Sequence, residues 1–297
     1  MLMKTLTLSS VDSSVSMGAA PQPHKLHLGA ALRERLVVLH RSSPVLSWAG
    51  WLNVGLVGLA LVLLPFDHRV VTGLNVWIKP LKFAASSVIY LWTLGWLLAD
   101  LPAKAQRAVR FIAWGVSVSM LVEMLCIYLQ AYRGTTSHFN IGSAFDGLIF
   151  GLMGMFIMLN TLLIIWALGL SLRHRPFGSA GYVWGMRLGL LLFLVGSAIG
   201  GSMVSHMGHT IGAADGGPGL PVLGWSTRYG DLRAAHFLGL HSLQALPLAG
   251  WWLHRYAPRW RNSTQTLGIF AFAGLYAGAV GLLYWRAMQG LPLIALH

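Results

Sequence analysis

Histidine and carboxylate side chains are the residues of this chain best suited to chemistry, and they concentrate in or beside its apolar stretches. We place one group of them in the same half of a membrane: His68, His138, His206, His209, His236 and His241, with Asp67, Glu123, Asp146, Asp215 and Asp231. Imidazoles and carboxylates transfer protons and bind metal ions or haem iron. Inside a membrane such groups are costly unless they are paired, so they are functional candidates by default.

Glu123 is the most deeply placed of these acids. It lies ten residues before Arg133, about 15 Å along a helix, with Cys126 on the same helical face. An ionised carboxylate at that depth needs a partner, so we predict that Glu123 is either neutral or paired with Lys82 or His241. Proton or ligand handling is one interpretation of this residue, and a purely structural acid is the other.

The segment DLRAAHFLGLHSLQ carries two more histidines on one predicted helix. Asp231 is a good N-cap residue, and Arg233 follows it in the first turn. His236 and His241 are five residues apart, which turns them about 140° from each other on a helix. One helix therefore cannot direct both imidazoles at a single metal ion, and we expect the two to have different partners.

Residues 204–231 form a connection that is long and rich in glycine, as is typical of a lid or a binding loop. His206 and His209, three positions apart, could share a ligand if the preceding helix extends that far. The segment TTSHFN adds His138 from another loop. No HExxH, P-loop or CxxC motif accompanies these residues, so they are a weak signal of a metal site. The candidate metal ligands are His138, His206, His209 and His236.

Histidines at one membrane depth, with arginines beside them, suit a haem b bound between helices. For such a haem we predict His236 or His241 as the ligand from this helix, together with a histidine of residues 204–209 or His138. Arg133, Arg228 and Arg233 would bind the propionates. Copper or zinc is the alternative, and the chain could also work with no cofactor. The acids predicted to act in catalysis are Glu123, Asp146 and Asp231.

Seven apolar runs must hold these side chains in place. The chain has 297 residues, of which 56% are hydrophobic and only 10% charged, which is not the composition of one soluble core. Each run has about the 20 residues that a bilayer core requires, and runs of this length predict helices rather than barrel strands. We predict an all-α integral membrane protein with seven spans in one bundle, at residues 45–66, 80–99, 110–132, 146–171, 182–204, 232–254 and 265–288.

The distribution of basic residues predicts the orientation of this bundle. Of the 21 lysines and arginines, fourteen fall on the side of the N-terminus: Lys4, Lys25, Arg33, Arg35, Arg41, Lys104, Arg107, Arg110, Arg173, Arg175, Arg187, Arg255, Arg259 and Arg261. The positive-inside rule then places the N-terminus in the cytoplasm and the C-terminus outside. The excess of positive charge indicates contact with anionic lipid headgroups rather than with nucleic acid.

We divide the chain into two parts on these grounds. Residues 1–44 are predicted to be a disordered cytoplasmic tail with an amphipathic helix at 28–40 that lies in the membrane interface. Residues 45–290 form the seven-helix domain. Three glycine pairs with four-residue spacing, Gly147 with Gly151, Gly196 with Gly200 and Gly274 with Gly278, predict close approach of the fourth, fifth and seventh helices to their neighbours.

Several functions agree with these features. The first is a haem- or metal-binding redox protein of the cytoplasmic membrane, an oxidoreductase with an electron-transfer or membrane-complex partner. A proton-coupled transporter of a small solute is the second, because intramembrane Glu and His residues carry protons. A zinc hydrolase and a scaffold subunit of a membrane complex are the others.

Overall fold

A computed structural model describes residues 36–295. The predicted tail, the predicted amphipathic helix up to residue 35 and the C-terminal His297 lie outside the described residues. Residues 36–42 are helical.

Seven long α-helices follow in the described part of the chain. They are α1 (Pro44–Leu63), α2 (Ile78–Ala99), α3 (Gln106–Arg133), α4 (Ala144–Arg173), α5 (Ala180–Ser205), α6 (Leu232–Tyr256) and α7 (Asn262–Met288), with a 3-10 turn (Ala103–Ala105) before α3. Six of them, all but α6, are long and apolar enough to cross a membrane. The chain therefore has the architecture of a multi-pass helical membrane protein.

Short polar signals set several helix ends. The Ser143 hydroxyl accepts a hydrogen bond from the backbone N–H of Asp146 and so caps α4, and the Asp231 carboxylate caps α6 as predicted. Helix α3 ends at Gly134, whose φ of 72° lies in the left-handed region that glycine adopts most easily.

Helices α5 and α6 pack most closely, because glycines remove the side chains between their backbones. A methyl group at Gly196 would lie 2.7 Å from the backbone of Gly239 and Leu240, and one at Gly200 would lie 2.9 Å from the His236 ring. The predicted close approach is therefore correct for the fifth helix. It is wrong for the fourth and seventh, where both glycine pairs, Gly147 with Gly151 and Gly274 with Gly278, have open space around them within residues 36–295.

Three connections meet at one end of the bundle. The α1–α2 connection carries a small hairpin of β1 (Val70–Val71) and β2 (Leu74–Asn75), and the α5–α6 connection pairs β3 (Thr210–Ile211) with β4 (Gly230–Asp231). The α3–α4 connection, residues 134–143, is the third. The long α5–α6 connection reaches α2, where the Lys82 ammonium donates to the carbonyls of Val222 and Leu223 at 3.0 and 2.9 Å. These contacts close that loop over the helix ends.

Candidate functional site

A cavity of about 280 Å³ lies beneath the α5–α6 loop, at the end of the bundle where the three connections meet. Its walls come from α2, α3, α6 and all three connections. The charged and titratable side chains that line it are Lys79, Lys82, His138, His209, Asp215 and Arg233. A concave site with a few convergent polar groups is the usual form of a small-molecule site.

His138 joins this cavity to the buried carboxyl group of Glu123. The His138 Nε2 atom lies 3.4 Å from Oε1 of Glu123, and its Nδ1 atom lies 3.1 Å from the Nζ atom of Lys79. Glu123 is only 3% exposed, and its Oε2 atom has no hydrogen-bond partner among the described residues. The three side chains form a line that runs from the cavity wall into the helix bundle.

The neighbours of His138 determine where its proton sits. Nδ1 faces both the Lys79 ammonium and, at 3.0 Å, the Ser137 hydroxyl, so Nδ1 accepts and the proton is on Nε2, toward Glu123. Burial and the nearby charges of Lys79, His209 and His236 hold the pKa of His138 well below its usual range. His138 is therefore neutral at physiological pH.

This line of groups can move a proton. In one state Lys79 is an ammonium and Glu123 a carboxylate. If Lys79 donates to Nδ1 of His138 and Nε2 passes its proton to Glu123, the result is a neutral amine, the other neutral imidazole tautomer and a carboxylic acid. Every proton is conserved, and the charges of Lys79 and Glu123 are both neutralised. The 3.4 Å spacing between His138 and Glu123 is slightly above hydrogen-bond length, which is common in relays at rest.

Asp215 shapes the loop above the cavity. Its carboxylate accepts from the backbone N–H groups of His209 and Thr210, from the Thr210 hydroxyl at 2.8 Å and from Nδ1 of His209 at 2.5 Å. Burial acts to raise the pKa of Asp215, but these hydrogen bonds outweigh it and hold the pKa well below its ordinary value. The His209 ring packs edge-on against Phe139, with ring centroids 4.9 Å apart, and so ties the loop to the α3–α4 connection.

Arg233 fixes the other end of the same loop. Its guanidinium donates to the Asp231 carboxylate at 2.6 and 2.9 Å and to the Gly224 carbonyl at 2.6 Å. Asp231 also accepts from the backbone N–H of Ser226 at 2.7 Å. The predicted catalytic acid Asp231 is thus fully engaged in capping α6 and holding the loop.

Asp146 and Arg133 form a separate cluster at the start of α4. Arg133 pairs with Asp146, which also accepts from the Gln130 amide at 2.8 Å and from the Ser143 hydroxyl at 2.6 Å. Both oxygens of Asp146 are occupied. The structure therefore gives this acid and this arginine a part in fixing the α3–α4 corner.

The remaining predicted residues do not converge on one centre. His206 is exposed beyond the end of α5, with Nδ1 2.7 Å from the Ser202 carbonyl, whereas His209 is paired with Asp215. The two cannot share a ligand as predicted, because α5 ends at Ser205. Arg228 is exposed. Within residues 36–295 no group of three or more His, Cys, Asp or Glu side chains is placed to hold a metal ion.

His236 and His241 have different partners, as their spacing predicts. Nδ1 of His236 lies 2.7 Å from the Gly196 carbonyl at the α5–α6 contact, and Nδ1 of His241 lies 3.3 Å from the Gln244 side chain. His241 also packs on Phe237. The predicted pairing of Glu123 with Lys82 or His241 is wrong: its neighbours are His138 and Lys79.

Lys79 is the member of the site that the sequence analysis did not identify as a functional candidate. Lys79 had a signal, since Lys79 and Lys82 lie three positions apart at the start of an apolar helix and so share a face. Asp215 is one of the predicted candidate acids, but its pairing with His209 was not predicted.

Comparison with protein families, with curated proteins and with solved structures finds no match to this chain.

Proposed function

We propose that this protein is a proton-coupled transporter of a small solute in the cytoplasmic membrane, with α6 as a seventh span. Seven basic residues fall on the side of the cavity and fourteen on the other side, so the positive-inside rule makes the cavity extracytoplasmic. The solute would bind in the cavity under the α5–α6 loop.

The observation that carries this proposal is the line from Lys79 through His138 to Glu123. Ionisable groups within spans typically mark proton and substrate pathways. Here the acid lies inside the bundle, its relay residue lines the solute cavity, and its Oε2 atom has no partner among the described residues. Binding of a solute beside Lys79 would change the charge that Glu123 experiences.

The same geometry gives less support to a haem- or metal-based redox function. The cavity volume of about 280 Å³ is below the range of about 300–1,000 Å³ that is usual for pockets of small-molecule ligands and cofactors. A haem therefore does not fit in it. Two of the three arginines predicted for the propionates, Arg133 and Arg233, are paired with carboxylates. Both ring nitrogens of His138 face other side chains. An optical spectrum and metal analysis of the purified protein test the redox alternative directly.

The transport proposal is tested in proteoliposomes that contain a pH-sensitive dye. Pyruvate, pyruvamide, glycine and ethylammonium are added outside, one at a time. We expect at least one of them to change the internal pH. Glu123→Gln, which cannot release a proton, should abolish that change while leaving expression and helicity intact.

The matched control is Asp100→Asn. Asp100 is a half-buried acid at the other end of α2, where it accepts a hydrogen bond from Tyr182 at 2.5 Å. This variant should behave like the wild type. If none of the four solutes moves protons, or if Glu123→Gln is as active as the wild type, the proposal is wrong and a scaffold role becomes the better account.

A further inference from the structure

We propose that the cavity binds a small monovalent anion, such as a short-chain carboxylate, and that it does so when Glu123 is protonated. This inference rests on the proposed function and names the substrate class of the same site.

The balance of charge around the cavity depends on Glu123. Three cations line it, Lys79, Lys82 and Arg233. Two carboxylates offset two of these charges: Asp215, which lines the same cavity, and Asp231, which pairs with Arg233. With Glu123 ionised, these three cations and three carboxylates have no net charge. With Glu123 protonated, one positive charge is left uncompensated. A monovalent anion restores neutrality in that second state.

Lys79 is the cation that can receive this anion. Its ammonium has three N–H donors, and among the described residues its hydrogen-bond partner is Nδ1 of His138. Lys82 already donates to two backbone carbonyls, and Arg233 to Asp231 and Gly224. The donors of Lys79 that face the cavity therefore have the greatest capacity for a carboxylate oxygen.

Proton uptake and anion binding are then coupled at one place. The titratable groups near Glu123 and His138 are Lys79, His209, His236 and the thiol of Cys126, and none of them is a carboxylic acid. The anion and the carboxylate of Glu123 compete for the same ammonium, so protonation of Glu123 favours the anion. One proton and one anion enter together, and no net charge is added.

The size of the cavity limits the anion to a few heavy atoms. A volume of about 280 Å³ corresponds to about nine water molecules at ~30 Å³ each. A short carboxylate fits this space together with some of its hydration water.

The test measures binding in detergent by the shift in thermal unfolding temperature. The probes are pyruvate and methanesulfonate, which stay ionised between pH 5.5 and 8, and pyruvamide as the neutral counterpart. We expect at least one anion to stabilise the wild type and pyruvamide to have no effect. Uptake of one proton with the anion makes binding weaken by up to about tenfold per pH unit as Glu123 ionises.

Three variants make the result specific. Lys79→Gln should weaken anion binding at least tenfold, whereas Lys104→Gln, at an exposed lysine at the other end of the bundle, should leave it unchanged. Glu123→Gln mimics the protonated acid, so its anion binding should depend less on pH than that of the wild type. A loss of binding in Glu123→Gln, or equal binding by the Lys79 variant, would contradict the inference.

The outcome separates this inference from the transport proposal. If neither anion binds at any pH, or if pyruvamide binds as well as pyruvate, the anion assignment is wrong. Proton movement that depends on Glu123 and is driven by another solute would then leave the transport function standing. If no solute moves protons either, both proposals fail.

Discussion

His138 makes the stability of the folded protein depend on pH, because it is neutral when folded. Its pKa lies well below the ordinary value of 6.5, so below that pH the unfolded chain takes up a proton that the folded protein does not. The stabilisation is complete above pH 6.5 and is lost as the pH falls toward the folded pKa, by up to about 1.4 kcal/mol per pH unit. Thermal unfolding in detergent should show a fall between pH 7 and pH 5.

Replacement of the imidazole tests this effect. His138→Gln cannot titrate, so the pH dependence of its unfolding free energy should be smaller by about one proton. His68→Gln, at an exposed histidine in the α1–α2 connection, is the matched control and should keep the wild-type slope. An unchanged slope in the His138 variant would show that another group causes the fall.

The sequence identified the candidate functional side chains more successfully than it identified their hydrogen-bond and ion-pair partners. Glu123 and His138 stand out because ionisable groups beside apolar runs are costly. Their contact joins residues 15 positions apart, across the end of α3 and a turn at Gly134. Such a contact depends on loop conformation, which helical periodicity does not report. For the same reason Lys82, which donates to loop carbonyls, was a wrong partner for Glu123.

The contact between α5 and α6 leaves no room for a side chain at Gly196. Gly196→Ala would place its methyl group 2.7 Å from the backbone of Gly239 and Leu240, which cannot rotate away. We expect the free energy of unfolding to fall by about 1–3 kcal/mol. Thermal or SDS-induced unfolding of the purified variant measures the loss.

Gly147→Ala in α4 is the control for this prediction. Nothing lies within 4 Å of its added methyl group among the described residues, and alanine favours a helix over glycine by up to about 1 kcal/mol. This variant should be as stable as the wild type or more so. An equal loss in both variants would mean that the helical glycines act through backbone flexibility rather than through packing.

The apolar runs predicted the helices well, since each predicted end lies within four residues of the observed one. They predicted the pairing of helices poorly. Glycine pairs occur in α4, α5 and α7, yet among residues 36–295 only the α5 pair meets a neighbouring helix, Gly196 at the backbone of α6 and Gly200 at the His236 ring. Four-residue spacing of glycines shows that one face of the helix has no side chains to keep a neighbour away. Whether another helix packs on that face depends on the tertiary fold.

For the whole molecule, the asymmetry of basic residues makes a prediction about sidedness. Gly217 is exposed in the α5–α6 loop with open space around it, and the native Cys126 is buried. A Gly217→Cys variant should react with a membrane-impermeant maleimide in intact cells. An Arg259→Cys variant, in the loop between α6 and α7, should react only after the cells are opened. The reverse pattern would invert the proposed orientation.

Helix α6 is the long helix of the described chain that is not apolar enough to count as a candidate span by composition. Its polar residues include Arg233, His236 and His241, which make hydrogen bonds within the bundle and the α5–α6 loop. During synthesis, such a segment gains little free energy from entering lipid alone. Helix α5 precedes it in the chain and offers a glycine-lined surface that matches it. We therefore expect the translocon to insert α5 and α6 together as a helical hairpin. Formation of the cavity during biogenesis would then depend on the close backbone contact between α5 and α6.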